Sequence, residues 1–168
     1  MQNNFVIVSF GSNLGEREKN IHKAVSAIQS SDIMKDTVLS EIIETDAILL
    51  EGSPKSWNKK FLNAVMCGST RLSPQMLLSR LKDVESYLGR SSSEKWSPRL
   101  IDIDILFYNN LYINEDEIQI PHPEFLNRKF LVELVSKITP DYTFPVRGRF
   151  YKEKMAAINK HLTVHEEV

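Results

Sequence analysis

The sequence predicts an α+β domain. Its elements run in the order βαββαβ, an antiparallel sheet with both helices on one face, followed by a C-terminal extension. This is the ferredoxin-like split βαβ plan. Three observations predict it. Four short runs carry strand character, and two helical stripes with clear punctuation fall between the first and second runs and between the third and fourth. No internal repeat, low-complexity segment or linker divides the chain, so residues 1–168 read as one domain.

Each element has a local reason. Phe5–Phe10 (FVIVSF) is a β-branched and aromatic run stopped by Gly11, which predicts a buried first strand. Ser12 or Asn13 can cap the following helix. Asn13 with Glu16 resembles a capping box, and Ile21, Ala24, Val25 and Ile28 form an apolar stripe. A second strand is expected around Thr37–Glu44, where Val38 alternates with Ser40 before Ile42 and Ile43. Ala47–Lys60 carries Gly, Pro, Ser and Asn and reads as a loop, long for a compact domain and so expected to be either functional or disordered. Asn63–Thr70 supplies a third strand. Ser73-Pro74 is an N-cap and N1 pair, Met76, Leu77, Leu81, Val84 and Leu88 continue a helix, and Gly89 closes it. Arg90–Pro98 has no apolar period and holds Ser91, Ser92 and Ser93, which predicts a mobile loop.

The fourth strand carries the strongest signal. In KWSPRLIDIDIL, Asp102 and Asp104 alternate with Ile101, Ile103 and Ile105. A period of two gives a strand with one buried and one open face, so both carboxylates project together, ~7 Å apart along the strand. Two readings fit the pair. It can be a solvated outer face, or a site where divalent cations relieve the repulsion, for which hard oxygens favour Mg²⁺. Lys95, Trp96 and Arg99 stand just upstream, and carboxylates, Mg²⁺ and basic residues are the parts of phosphoryl-transfer sites. Beyond this strand, Tyr108-Asn109-Asn110 predicts a turn into a short strand, Leu111–Ile113. A helix is expected from Phe125 to Lys137, with Phe130, Leu131, Leu134 and Ile138 on one side and Pro140 after it. A last helix is expected around Tyr151–Leu162. The helices should cover the isoleucine face, leaving Asp102 and Asp104 to loops and the extension.

Bulk properties exclude several classes. With 42% hydrophobic and 26% charged residues and a net charge of −1, the chain reads as an ordinary globular protein with no field for long-range capture of nucleic acid. The single cysteine, Cys67, lies in an apolar run and fits a reducing compartment. The N-terminus lacks a basic, apolar leader pattern, and no apolar run approaches the ~20 residues that span a bilayer. A soluble, cytoplasmic protein without a membrane partner is expected.

Four blocks in order, FGSNLGER at Phe10–Arg17, FLNAV at Phe61–Val65, KWSPRLIDIDIL at Lys95–Leu106 and IPHPEFLNRKFL at Ile120–Leu131, make nearly the whole chain resemble the 6-hydroxymethyl-7,8-dihydropterin pyrophosphokinase family. The resemblance implies transfer of a diphosphate from ATP to the hydroxymethyl group of the reduced pterin in folate biosynthesis, leaving AMP. It implies a catalytic set of Arg99, Asp102, Asp104 and Trp96, with Asp102 and Asp104 as ligands of Mg²⁺, two ions in all. Thr45, Phe61, Asn63 and Phe130, with Asp102, look like the pterin-binding residues. Arg90, Lys95, Arg99, Ile105, His122 and Arg128 look like the ATP-binding residues. A monomer whose partners are ATP and 6-hydroxymethyl-7,8-dihydropterin alone is expected.

Physical chemistry suits these roles. A flat pterin fits between rings with an amide at its edge, and Asn offers acceptor and donor in one plane. ATP brings about four negative charges that cations must offset. The sequence departs from the family pattern at Ser97, at Ser91–Ser93, at Asp46 and in the longer loop between Thr45 and Phe61. Two other classes compete: a non-catalytic ligand-binding module of the same fold, which has no need of paired aspartates, and a metal-dependent nuclease, which the near-neutral charge disfavours.

Overall fold

In the computed structural model, which describes residues 3–47, 51–89, 100–145 and 152–157, one sheet separates two apolar layers. Its strands are β1 (Asn4–Ser12), β2 (Lys35–Leu39), β3 (Ile43–Thr45), β4 (Phe61–Thr70) and β5 (Asp102–Tyr108). They lie in the order β2-β4-β1-β5, with β3 also on β4, and every pairing is antiparallel. The fold is thus a mixed α/β arrangement of antiparallel sheet and helices. Two further pairs, β6 (Ile113–Asn114) with β7 (Gln119–Ile120) and β8 (Thr143–Pro145) with β9 (Lys152–Lys154), stand apart from the sheet.

The period-two alternation of the strands decides which residues meet which layer. Val6, Val8, Phe10, Ala64, Met66, Ile103 and Ile105 pack with the stripes of α1 (Arg17–Ser30) and α2 (Pro74–Tyr87) in the first core. Ile7, Val65, Cys67 and Phe107 face the other way, against Leu131, Val132, Leu134 and Val135 of α3 (Lys129–Ile138). A register shift between Ile7 and Val8 against β5 lets both Leu106 and Phe107 join this second core. Phe107 is its hub, packing edge-on to Phe125 at 4.7 Å and tilted against Phe144 at 4.8 Å between ring centroids.

Several expected elements take a different form. The box at Asn13 and Glu16 does not cap α1: Gly15 turns left-handed (φ +69°), the helix starts at Arg17 without a side-chain cap, and the Asn13 amide instead donates to Lys59 O. The second strand is broken into β2 and β3 because Ser40 bonds β4 with both its backbone and its side chain. Its N–H donates to Val65 O at 2.8 Å and its Oγ accepts from Val65 N at 2.9 Å. The 47–60 loop holds a 3₁₀ turn at Lys55–Trp57. Met76 falls outside the apolar stripe of α2, being 51% exposed. The short strand after Tyr108 begins at Ile113, later than Leu111. The Phe125–Lys137 helix is a 3₁₀ turn (Phe125–Asn127) and then α3, split where Arg128 leaves helical dihedrals (φ −113°, ψ 86°). Lys152–Lys154, expected in the last helix, are strand instead because their backbone pairs with Thr143–Pro145; helical residues follow at 155–157, and the rest of the expected helix, residues 151 and 158–162, lies outside the described residues. The Ser73 cap is as expected, its Oγ accepting from Met76 N at 3.2 Å.

Candidate active site

The register of the sheet assembles the site. Along one line across the strands, Ile43 pairs with Asn63, Asn63 with Gly11, and Gly11 with Asp102. Directly opposed residues share a face, so the Asn63 amide and the Asp102 carboxylate project from the same side with only the bare Gly11 between them. One pair further along, Val65 meets Ser9 and Ser9 meets Asp104. This is the face that α3 covers at its other end. On β4 the buried residues of the second core end at Val65, and on the next line polar side chains stand beside the partly buried Ile43.

Each member has defined neighbours. Asn63 is buried, and its Nδ2 donates to Thr45 Oγ1 at 2.7 Å, leaving Oδ1 on the Gly11 side. A Cβ at Gly11 would lie 3.4 Å from the Phe61 ring and 3.6 Å from Asn63 Oδ1, so any longer side chain would fill this space. Phe61 therefore lies over Gly11, paired with Thr45 in the β3–β4 ladder, while Phe130 packs from α3 onto the edge of the second core. Asp102 and Asp104 are both half-buried. The expectation that both leave the isoleucine face is met: Ile101, Ile103 and Ile105 all lie in the first core.

His122 meets β5 from outside the sheet. Its backbone N–H donates to Leu106 O at 3.0 Å, its Nδ1 accepts from Glu124 N at 3.1 Å, and its Nε2 stands 3.9 Å from Asp104 Oδ2. Burial holds the imidazole below its usual pKa of 6.5, Asp104 pulls the other way, and the Arg128 charge lowers it further. Arg128 is thus within electrostatic reach of the Asp104–His122 pair. Beside them a cavity of about 310 Å³, lined by Tyr112, Asn114, Gln119, His122 and Phe144 among others, is large enough for a small ligand.

The structure thus brings Asp102, Asp104, Asn63, Thr45, Phe61, His122 and Arg128 to one end of the sheet. Ile105 contributes no side chain there, because that chain is buried in the first core. Arg90, Lys95, Trp96 and Arg99, with the expected mobile loop at 90–98, lie outside the described residues.

Sequence reasoning passed over three residues. Ser9 sits beside Asp104, and its signal was one polar residue in an apolar strand. Arg17 donates from Nη1 to Lys60 O at 2.8 Å and from Nη2 to Glu44 Oε2 at 2.9 Å, tying α1 to the mouth of the β3–β4 pair. Glu85, buried on α2, accepts from Ile103 N at 2.8 Å. Its signal was an acid inside the stripe of Leu77, Leu81 and Val84.

Chemically, the site offers two carboxylates with hard oxygens, an imidazole and a guanidinium nearby, and an amide next to an aromatic ring. Among the described residues no group of three or more His, Cys, Asp or Glu forms a closed metal cage. Two half-buried carboxylates with an open side instead suit Mg²⁺, which keeps waters and takes substrate phosphates as its remaining ligands.

These features belong to a small-ligand site of mixed polar and aromatic character on an α/β sheet. Residues 7–140 match the family model of 7,8-dihydro-6-hydroxymethylpterin-pyrophosphokinase (HPPK), and the chain belongs to that family. It is 42% identical over 147 residues to a folate synthesis bifunctional protein of Chlamydia trachomatis, covering 86% of this chain and 32% of that one. It is 32% identical over 136 residues to the 2-amino-4-hydroxy-6-hydroxymethyldihydropteridine pyrophosphokinase of Bacillus subtilis, covering 81% of this chain and 78% of the relative. The chain spans about a third of the length of the chlamydial relatives it matches (32%, 34% and 35%). A crystal structure of Plasmodium falciparum HPPK-DHPS with pterin and p-hydrobenzoate shares the fold at a TM-score of 0.70 and 13% identity, covering 99% of this chain and 45% of that one.

Proposed function

We propose that this chain transfers a diphosphate from ATP to the hydroxymethyl group of 6-hydroxymethyl-7,8-dihydropterin, a step of folate biosynthesis that releases AMP. The observation that carries this reading is the register line Asn63–Gly11–Asp102, which sets a pterin-type hydrogen-bonding edge beside a carboxylate pair on one open face. Family membership and the relative named as a pyrophosphokinase support the same reaction.

The residues take roles that follow from their chemistry. Asn63, held by Thr45, meets the donor and acceptor edge of the pterin, and Phe61 and Phe130 take its ring faces. Asp102 and Asp104 hold Mg²⁺, two ions in this reading, and bound Mg²⁺ supplies charge neutralisation for the phosphates. Arg128 and His122 lie on the ATP side, together with Arg90, Lys95 and Arg99; Ile105 borders the adenine through its backbone; and Trp96 closes over the ligands. These assignments outside the described residues rest on the resemblance alone. The hydroxymethyl oxygen attacks the β-phosphorus and gives up its proton, and the bond from that phosphorus to the α,β-bridging oxygen breaks. AMP leaves with the electron pair. Such a transfer asks the protein mainly for alignment and electrostatic stabilisation.

The coarser architecture extends to a finer one. We read residues 1–168 as a single pyrophosphokinase domain on the ferredoxin-like plan, supported by the strand order and by α1 and α2 sharing one face. Among the described residues no helix is long and apolar enough to cross a membrane. In this reading the protein is a cytoplasmic monomer whose partners are ATP and the pterin, and the net charge of −1 gives it no field for capturing nucleic acid.

The test is product analysis. Protein with Mg²⁺ and ATP should form AMP only when the hydroxymethyl-dihydropterin is added, and an ATP analogue with an α,β-methylene bridge should be inert. Asp102→Asn and Asp104→Asn should each lower turnover by ~10³-fold, the loss of several kcal/mol of transition-state stabilisation. ADP as the product would refute pyrophosphoryl transfer. No AMP at all, with ligand binding retained, would identify a binding module.

A further inference from the structure

We propose that Glu85 is a positioning residue that sets the aim of the Asp102/Asp104 pair by gripping the peptide between them. Burying a carboxylate is costly unless hydrogen bonds and a counter-charge replace water. The Glu85 side chain is 1% exposed on the inner face of α2, beside Leu81 and Val84. Its Oε1 accepts from Ile103 N at 2.8 Å and lies 3.2 Å from Lys82 Nζ. Ile103 is the residue between the two aspartates.

The grip falls where the sheet cannot supply one. Among the described residues β5 is the last strand of its sheet, paired with β1 alone. The outward Ile103 N–H thus meets no described strand, and a helix side chain receives it instead. The peptide plane carrying that N–H also carries the Asp102 carbonyl, so fixing it fixes the backbone from which both carboxylates leave. A charge-assisted bond of this length is among the stronger ones available. Glu85 touches neither substrate nor metal in this account; it acts through the strand. In many metal sites the residues that hold the ligands change metal affinity by about 10–100-fold when altered.

The inference rests on the reading of Asp102 and Asp104 as an Mg²⁺ site, and its test is separable from that of the reaction. Two variants divide the roles of Glu85. Glu85→Gln keeps the reach and the acceptor oxygen but removes the charge. Glu85→Asp keeps the charge but is one methylene too short. Mg²⁺ is titrated into each folded protein without substrates, and the backbone amide resonances of Asp102, Ile103 and Asp104 are followed by NMR. Glu85→Gln should hold the Ile103 amide at its hydrogen-bonded position and saturate within about threefold of the parent Mg²⁺ concentration. Glu85→Asp should shift the Ile103 amide, speed its hydrogen exchange and require ~10-fold more Mg²⁺. Turnover should follow the same order, with the loss in kcat rather than in KM for the pterin. Equal Mg²⁺ responses in the two variants, whether both normal or both weakened, would overturn the proposal, as would the reverse order. If Glu85→Asp does not fold, Glu85→Gln decides alone: a lost Ile103 hydrogen bond or a weakened Mg²⁺ response refutes the grip. Failure to form AMP with these responses intact would count against the reaction and leave Glu85 its role.

Discussion

His122 Nε2 stands 3.9 Å from Asp104 Oδ2 while the other nitrogen of the ring accepts from Glu124 N. That acceptor role leaves the proton of the neutral ring on Nε2, and burial favours the neutral ring by holding its pKa below 6.5. The donor therefore points to the Asp104 side. Glutamine can place an N–H where Nε2 was, whereas asparagine reproduces only the Nδ1 position. His122→Gln should keep most of kcat/KM for ATP, and His122→Asn should lose about tenfold, the value of one hydrogen bond to a charged group. An AMP-release assay over a range of ATP concentrations checks the order.

The Asn63–Thr45 bond predicts a graded series on the pterin side. Thr45→Val removes the acceptor that aims the amide, so the pterin KM should rise several-fold with little change for ATP. Asn63→Ala removes the amide itself and should weaken pterin binding by roughly 10–100-fold, since a polar edge left unpaired costs about 1–3 kcal/mol. Fluorescence titration with a pterin measures both. Equal effects of the two substitutions would contradict the aiming role of Thr45.

Arg17 gives a contrast between stability and function. Its ion pair with Glu44 is open to solvent, Arg17 being partly exposed at 30% and Glu44 exposed at 45%, and such pairs contribute about 0–1 kcal/mol. Arg17→Ala should therefore shift the unfolding midpoint little. It also releases the Lys60 carbonyl, next to Phe61, so the pterin KM should rise about fivefold while the KM for ATP stays put. Arg17→Lys should recover part of the loss.

Tyr142 sets an alkaline limit. Its hydroxyl donates to Asn109 O, and burial pushes its pKa well above the usual 10. A phenol whose folded pKa is raised contributes stability that is whole below the unfolded value and is lost as pH climbs above 10 toward the folded value. Tyr142→Phe should cost about 1 kcal/mol at pH 7, the value of a buried hydrogen bond. The same variant should lose less stability than the parent between neutral and strongly alkaline pH. Tyr108, whose pKa burial also raises, keeps some alkaline sensitivity in both proteins. Urea midpoints at the two pH values give the comparison.

Much of this was legible in the residues because it is local. The DIDIL alternation fixed the face of both carboxylates, and Ser73-Pro74 fixed the start of α2, since each depends on neighbours a few positions away. What escaped depends on partners far along the chain. Asn13 looks like a cap, but its amide reaches Lys59. Ser40 looks like a strand residue, yet it interrupts the strand because both its N–H and its Oγ bind Val65. Lys152–Lys154 look helical, and pairing with Thr143–Pro145 overrides that preference. The site divides the same way: the aspartates were legible from their spacing, whereas the placing of Ser9 and Glu85 required the β1–β5 register and the docking of α2.

The outer rim of β5 also bears on how the molecule behaves in a crowded solution. An exposed terminal strand offers its unused donors and acceptors to any passing chain, which is how sheets join end to end into aggregates. Here the Ile103 donor is claimed by Glu85 and the Leu106 acceptor by the His122 backbone. The contacts that steady the aspartates thus also occupy two of the groups through which this edge could recruit a foreign strand, and a substitution that loosens them would be felt in solubility as well as in catalysis.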